Sequence, residues 1–194
     1  MEQQLFQYLS KYITLTEEEA NELISMDLIR AIPKGSILLR EGERSIRSYF
    51  VLKGCLRSYY LIDGEEKTTA FYTENQGVTP QCVTTQEPSA YFLVCVEDCV
   101  LATSTSDMEA PFFEKFPRFE SLCRVLGEKM LTNQQMSFDA YMNSTPEQRY
   151  LLLLENRPDL IQRVPQYQLA SYLGIKPESL SRIRKRLLEK KRSA

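Results

Sequence analysis

The residues best equipped for chemistry in this sequence are cations gathered at one end. Lys176, Arg182, Arg184, Lys185, Arg186, Lys190, Lys191 and Arg192 stand within the last thirty positions against only Glu178 and Glu189. That stretch carries +6, while the chain as a whole carries −2 and the remainder −8. Such asymmetry points to a basic module for a polyanion. Other chemistries are poorly supplied. Histidine is absent, which removes imidazole general bases, His-ligated haem and zinc sites of the Cys/His kind. Cys55, Cys82, Cys95, Cys99 and Cys123 form no CxxC pair and are expected as small buried hydrophobes, reduced in the cytoplasm. Cys95 and Cys99 are the two left open to a redox role. No GxxxxGK[ST] phosphate loop or nucleophile–base pair appears, and lone carboxylates such as Glu41, Glu43 and Glu74 read as solvated or structural. The chain is not expected to be an enzyme, and neither cofactor nor metal is expected.

The cations lie on a local pattern that can position them. Val164 to Leu187 reads as two short helices joined by a tight turn. Leu169, Ala170 and Leu173 have helical spacing, Gly174 ends that run, and Pro177 suits the start of a second helix. There Leu180, Ile183 and Leu187 share one face, while Ser179, Ser181, Arg182, Lys185 and Arg186 fall elsewhere. A small residue in the first helix and a glycine turn are the marks of a helix-turn-helix.

Upstream, Leu5, Tyr8, Leu9 and Tyr12 mark a helix, and Thr16-Glu17-Glu18-Glu19 is a capping box opening another. From Leu28 to about Ser104 the texture is β, with glycines at intervals of roughly ten residues, the rhythm of a barrel or sandwich. Strands are expected at Ser36–Arg40, Arg47–Leu52, Cys55–Ile62, Lys67–Tyr72 and Ala90–Val96. Asp63-Gly64 signals a hairpin. Thr73 to Pro88 reads as a long loop with one helical turn, of a length that is often functional. Ser106-Asp107-Met108-Glu109 reads as a second capping box, and Pro117 starts a helix to about Asn143, about 40 Å long. Its apolar side, Leu122, Val125, Leu126, Met130 and Met136, suits pairing with a second copy or packing on its own barrel. A break and a new N-cap follow at Asn143–Glu147, and Arg157-Pro158-Asp159 reads as a turn. Tyr91–Val96, the longest apolar run, is too short to span a bilayer. The opening MEQQLFQYLSKY lacks a signal-peptide layout. A cytoplasmic protein with no membrane partner is expected.

Lys34-Gly35, Leu38-Leu39-Arg40-Glu41-Gly42-Glu43, Tyr49–Gly54, Pro88-Ser89-Ala90 and Val96-Glu97-Asp98, followed by a long helix and the helix-turn-helix, resemble the Crp/Fnr superfamily of bacterial transcription regulators. The resemblance implies an α+β chain in three parts. An antiparallel β-barrel of the jelly-roll, cyclic-nucleotide-binding kind, with its N-terminal helices, occupies 1–116. A long dimerisation helix occupies 117–143, and an all-α helix-turn-helix domain 144–194. The family's β-hairpin wing is expected to be truncated or absent, the chain continuing after Arg186 as LLEKKRSA, a flexible extension for phosphate contacts. Relatives that bind cyclic AMP carry Gly-Glu and Arg-Ser-Ala around the phosphate-binding cassette. Here Gly77-Val78 and Pro88-Ser89-Ala90 stand at those places. The carboxylate for the ribose and the guanidinium for the phosphate are both missing, so an effector other than cyclic AMP, or none, is implied. Gly77, Val78, Ser89, Ala90, Tyr72 and Gln76 are the expected effector pocket, although for tyrosines in strands the core is the favoured reading.

The same resemblance implies a homodimer on double-stranded DNA at a palindromic site, and RNA polymerase as partner if the protein activates. Glu178, Ser181 and Arg182 match the family's E-x-x-S-R reading positions, associated with TTGA-like half-sites. A carboxylate accepts from cytosine N4, and arginine bonds guanine O6 and N7 bidentately. Lys176, Arg184, Lys185 and Arg186 are expected on phosphates, with Gln166 and Tyr167 adding backbone contacts. Paired subunits would meet half-sites roughly 34 Å apart. The competing reading is a ligand-binding barrel whose basic tail contacts protein. A cupin-type enzyme would share the barrel shape but commonly needs the histidines this chain lacks.

Overall fold

The computed structural model describes residues 2–192, with side chains through Lys190. The chain divides into two compact units, one of Met1–Ser58 and Phe71–Met130, the other of Tyr59–Ala70 and Leu131–Ala194. No described helix is long and apolar enough to cross a membrane.

Two helices, α1 (Glu2–Leu9) and α2 (Glu17–Ser25), open the first unit. The expected capping box forms at α2, with the Thr16 amide donating to the Glu19 carboxylate at 2.8 Å and the Thr16 hydroxyl accepting from the Glu19 amide. Eight strands follow: β1 (Ile29–Ile32), β2 (Ile37–Leu39), β3 (Arg47–Lys53), β4 (Leu56–Ile62), β5 (Glu65–Tyr72), β6 (Gly77–Val78), β7 (Phe92–Cys95) and β8 (Cys99–Thr105). They form two sheets, ordered β1-β8-β3-β6 and β2-β7-β4-β5. Apart from the β4–β5 hairpin, chain neighbours alternate between sheets, the winding of a jelly roll, so the α+β architecture stands as expected. Leu39, Val51, Leu56, Leu93 and Leu101 form its centre, each such side chain contributing about 1.5–3 kcal/mol by leaving water. Asp63 and Gly64 both have positive φ, 52° and 78°, as a two-residue type I′ turn requires.

Three strands were not singled out by pattern. β1 and β8 pair with each other in register from Ile29 opposite Ala102 to Ile32 opposite Cys99. β6 has two residues, too few to alternate, and exists because Gly77 and Val78 meet Phe50 and Tyr49 of β3. The loop around it also holds the expected helical turn, α3 (Gln81–Thr85).

Helix α4 (Ser106–Lys115) is capped one residue earlier than Ser106. Thr105 ends β8 with extended backbone, the N-cap geometry, and its hydroxyl accepts from the Met108 amide. The Ser104 hydroxyl engages Glu109, so no box closes on Ser106. The long α5 (Pro117–Met142) follows. Phe119 at its start is 4.8 Å, ring to ring, from Phe112. Arg118 donates through Nε to the buried Glu19 carboxylate at 2.6 Å and through Nη2 to the Thr14 carbonyl at 2.8 Å.

In the second unit α6 (Pro146–Asn156) begins with a capping box in which Thr145 and Gln148 satisfy each other's amides. Where a turn was expected at Arg157–Asp159, Pro158 starts a short helix, α7 (Pro158–Arg163), proline being tolerated at a first position. Then come α8 (Gln166–Tyr172) and α9 (Pro177–Arg192). Tyr150, Leu153, Leu160, Val164, Leu169, Ala170, Leu173, Leu180 and Ile183 are its buried core. The stretch expected to be a flexible extension is helix as far as Arg192. Ser193, Ala194 and the side chains of Lys191 and Arg192 lie outside the description.

Candidate nucleic-acid interface

The turn between α8 and α9 is built from backbone chemistry. The Gly174 amide donates to the Ser171 carbonyl at 3.0 Å, and the Ile175 amide to the Ala170 carbonyl at 3.0 Å. These are the two bonds of a Schellman ending. It needs a left-handed residue, and Gly174 supplies it at φ +70°. A Cβ there would meet the Tyr141 hydroxyl. Arg149 braces the same corner from α6, with Nε on the Tyr141 carbonyl at 3.0 Å, an NH on the Leu173 carbonyl at 3.3 Å, and its guanidinium 3.7 Å above the Tyr141 ring. A cation at the carboxyl end of α8 also answers that helix's dipole. Nothing local in the sequence pointed to Arg149, because its partners lie 8 and 24 residues away.

On α9, Leu180 and Ile183 face the core at 0% and 7% exposure. Glu178, Ser181, Arg182 and Lys185 are exposed. Positions 178, 181, 182 and 185 share a face by helical spacing. Arg182 touches the Ser179 hydroxyl at 3.3 Å; the side chains of Glu178, Ser181 and Lys185 make no hydrogen bond or ion pair among the described residues. The other expected phosphate ligands are differently disposed. Arg184 donates to the Gln166 carbonyl oxygen of the side-chain amide at 3.2 Å, joining two of them across α8 and α9. Arg186 is ion-paired with Glu147 of α6, with Lys190 3.8 Å from the same carboxylate. Lys176 and Gln166 are exposed, as is Tyr167, whose hydroxyl accepts from the buried Gln168 amide at 3.1 Å.

The expected effector residues are spent largely on structure. Val78 is in the core beside Tyr49, and Tyr72 packs on that core. The Gln76 side chain accepts from the Thr73 amide at 2.8 Å, closing its own turn. Ser89 is buried, donating to the Tyr91 carbonyl at 2.8 Å, while its amide and carbonyl bind Glu43 and Gly42. Gly77 is half-buried and Ala90 exposed. Cys55, Cys82, Cys95 and Cys99 are buried thiols and Cys123 is exposed. A hydrogen bond between Cys95 and Cys99 pushes the Cys95 thiol up and draws Cys99 down.

Residues 29–108 match the family model of the cyclic nucleotide-binding domain. A comparison with curated proteins finds no match. Among solved structures, the c-di-GMP-responsive global regulator CLP of Xanthomonas campestris is similar at 18% identity, covering 90% of this chain and 93% of its own, with a TM-score of 0.68. FixK2 from Bradyrhizobium japonicum is similar at 16% identity over 84% of both chains, with a TM-score of 0.64. A cyclic nucleotide-binding domain from Methylobacillus flagellatus is similar at 16% identity over 74% of this chain and 84% of its own, with a TM-score of 0.57. Residues 29–108 are therefore similar to cyclic nucleotide-binding domains. The chain as a whole shares the fold of CLP and FixK2.

Proposed function

We propose that the protein is a homodimeric, sequence-specific DNA-binding transcription regulator. One observation carries the reading: α9 holds Glu178, Ser181, Arg182 and Lys185 exposed on the face opposite its buried Leu180 and Ile183, beside a turn fixed by its backbone bonds. A carboxylate, a hydroxyl and a guanidinium at that spacing supply the acceptors and donors that base edges require. Lys176 and Lys185 serve phosphates. Arg186, held by Glu147, contributes less there than Lys185 does.

Dimerisation is assigned to α5. Leu131, Phe138 and Met142 are 68%, 62% and 61% exposed and are spaced seven and four residues apart, as along a coiled-coil seam. The nucleotide-binding-type domain takes an effector other than cyclic AMP, or none. RNA polymerase is the further partner if the effect is activation, and the protein works in the cytoplasm without catalysing a reaction.

Selection of bound sequences from random duplex DNA, with and without candidate nucleotides, tests the reading. A palindrome with half-sites one helical turn apart is expected. An asymmetric single half-site would overturn the dimer, and no enrichment would overturn DNA reading itself.

A further inference from the structure

Strand β5 is an edge of its sheet. An edge strand leaves a row of backbone N–H and C=O groups without strand partners. Within the second unit, Ser171 of α8 meets that row. Its hydroxyl donates to the Glu66 carbonyl at 2.8 Å and accepts from the Thr68 amide at 2.9 Å. Glu66 and Thr68 are two positions apart, so these groups point the same way from the strand. One hydroxyl thus does the work of a neighbouring strand residue, giving one hydrogen bond and taking another. Thr68 is buried, at 5% exposure, and a buried amide deprived of its acceptor costs free energy that water does not return.

The place of Ser171 makes this bond more than a tether. Its own carbonyl accepts from the Gly174 amide in the turn that launches α9, and α8 packs directly on α9. Whatever fixes the rotation of α8 therefore fixes the aim of the face bearing Glu178, Ser181 and Arg182.

The geometry points to Ser171 as a positioning residue for DNA reading: through the edge of β5 it sets the orientation of α8, and through α8 that of α9. The inference rests on the DNA-reading role of α9. Its test uses the full chain with Ser171→Ala and the conservative Ser171→Thr. The measurements are amide hydrogen exchange in the free protein and binding to selected and random duplexes. Ser171→Ala is expected to speed exchange of the Thr68 amide at least tenfold. It should also weaken the selected duplex about tenfold while leaving random duplex unchanged. Ser171→Thr, which keeps the hydroxyl, should restore both. Unchanged exchange at Thr68, unchanged affinity for the selected duplex, or equal loss on both duplexes would each overturn the positioning role. If the unsubstituted protein bound no duplex, the reading of α9 would fall and the positioning role with it. The exchange result would still report whether the bond to the strand edge exists.

Discussion

Arg182 and Lys185 lie three residues apart on α9, yet their roles should separate cleanly. In the proposed reading Arg182 belongs with Glu178 and Ser181 as a base reader, and Lys185 is a phosphate cation. Arg182→Ala should cost about 1–3 kcal/mol at the selected site and relax one base position. Lys185→Ala should weaken all duplexes alike and flatten the salt dependence by about one counterion. A gel-shift salt series on both variants checks this, and equal loss on selected and random DNA for Arg182→Ala would remove its reading role. Gly174 is the other decisive residue. Alanine there must adopt φ +70°, a conformation costing about 1–3 kcal/mol, and must also displace Tyr141. Urea unfolding should show a loss of at least that size; a neutral result would mean α8 can end another way. At this scale the sequence was informative wherever the partners are local. The exposed set on α9 and the glycine stop follow from spacing within one segment. Pairs such as Arg186 with Glu147, or Ser171 with Glu66 and Thr68, join residues far apart in the chain, and no periodicity encodes them.

Elements were legible in proportion to their length. The twenty-six residues of α5 and the hairpin at Asp63-Gly64 repeat their signal enough to be read. The two residues of β6 and the six of α7 do not, because pairing with β3 and the rigidity of Pro158 decide them. The cap of α4 moved to Thr105 because a strand already extended to that residue. Two predictions belong to α5. Phe138→Asp puts a charge into the proposed seam, where burial without a partner is costly. Light scattering should then report a monomer, and the palindrome should be bound no better than one half-site; a persisting dimer would assign the interface elsewhere. The start of α5 is tied to α2 by Arg118, whose hydrogen bond to Glu19 holds that carboxyl below the usual carboxylate value of 4.5. A carboxyl depressed in the folded state adds stability above its unfolded pKa and loses it as pH falls through the folded value. Acid unfolding should therefore steepen below about pH 4.5, and Glu19→Gln should flatten that limb while lowering stability at neutral pH. An unchanged acid limb would mean the pair contributes little.

At the scale of the whole molecule the chain separates its charge, +6 at the basic end against −8 elsewhere. The proposed polyanion site would thereby sit on a protein that is acidic overall, whose remaining net negative charge would repel the same ligand and discourage misplaced binding. A second anion, the cyclic phosphate of cyclic AMP, is not expected to bind here. Fold similarity at 16–18% identity carries the jelly roll but not the ligand's contacts, which depend on single residues. At the two anchoring places stand Val78, a core side chain beside Tyr49, and Pro88, which has no charge to offer. A phosphate entering there would lose water without the guanidinium that the cyclic-AMP-binding relatives place at the end of the cassette, and an uncompensated transfer of that kind costs several kcal/mol. Ligand binding to the folded state alone stabilises by about 2.7 kcal/mol at a hundred times Kd, which would raise Tm by at least about 5 °C in a chain of this size. Cyclic AMP at about 1 mM, a hundredfold over a Kd of about 10 μM, is accordingly expected to leave Tm within about 1 °C, and to leave affinity for the selected duplex unchanged. A rise of several degrees in a thermal scan would show that neutral groups around Gly77 and Ser89 hold the nucleotide after all, and would reassign the effector.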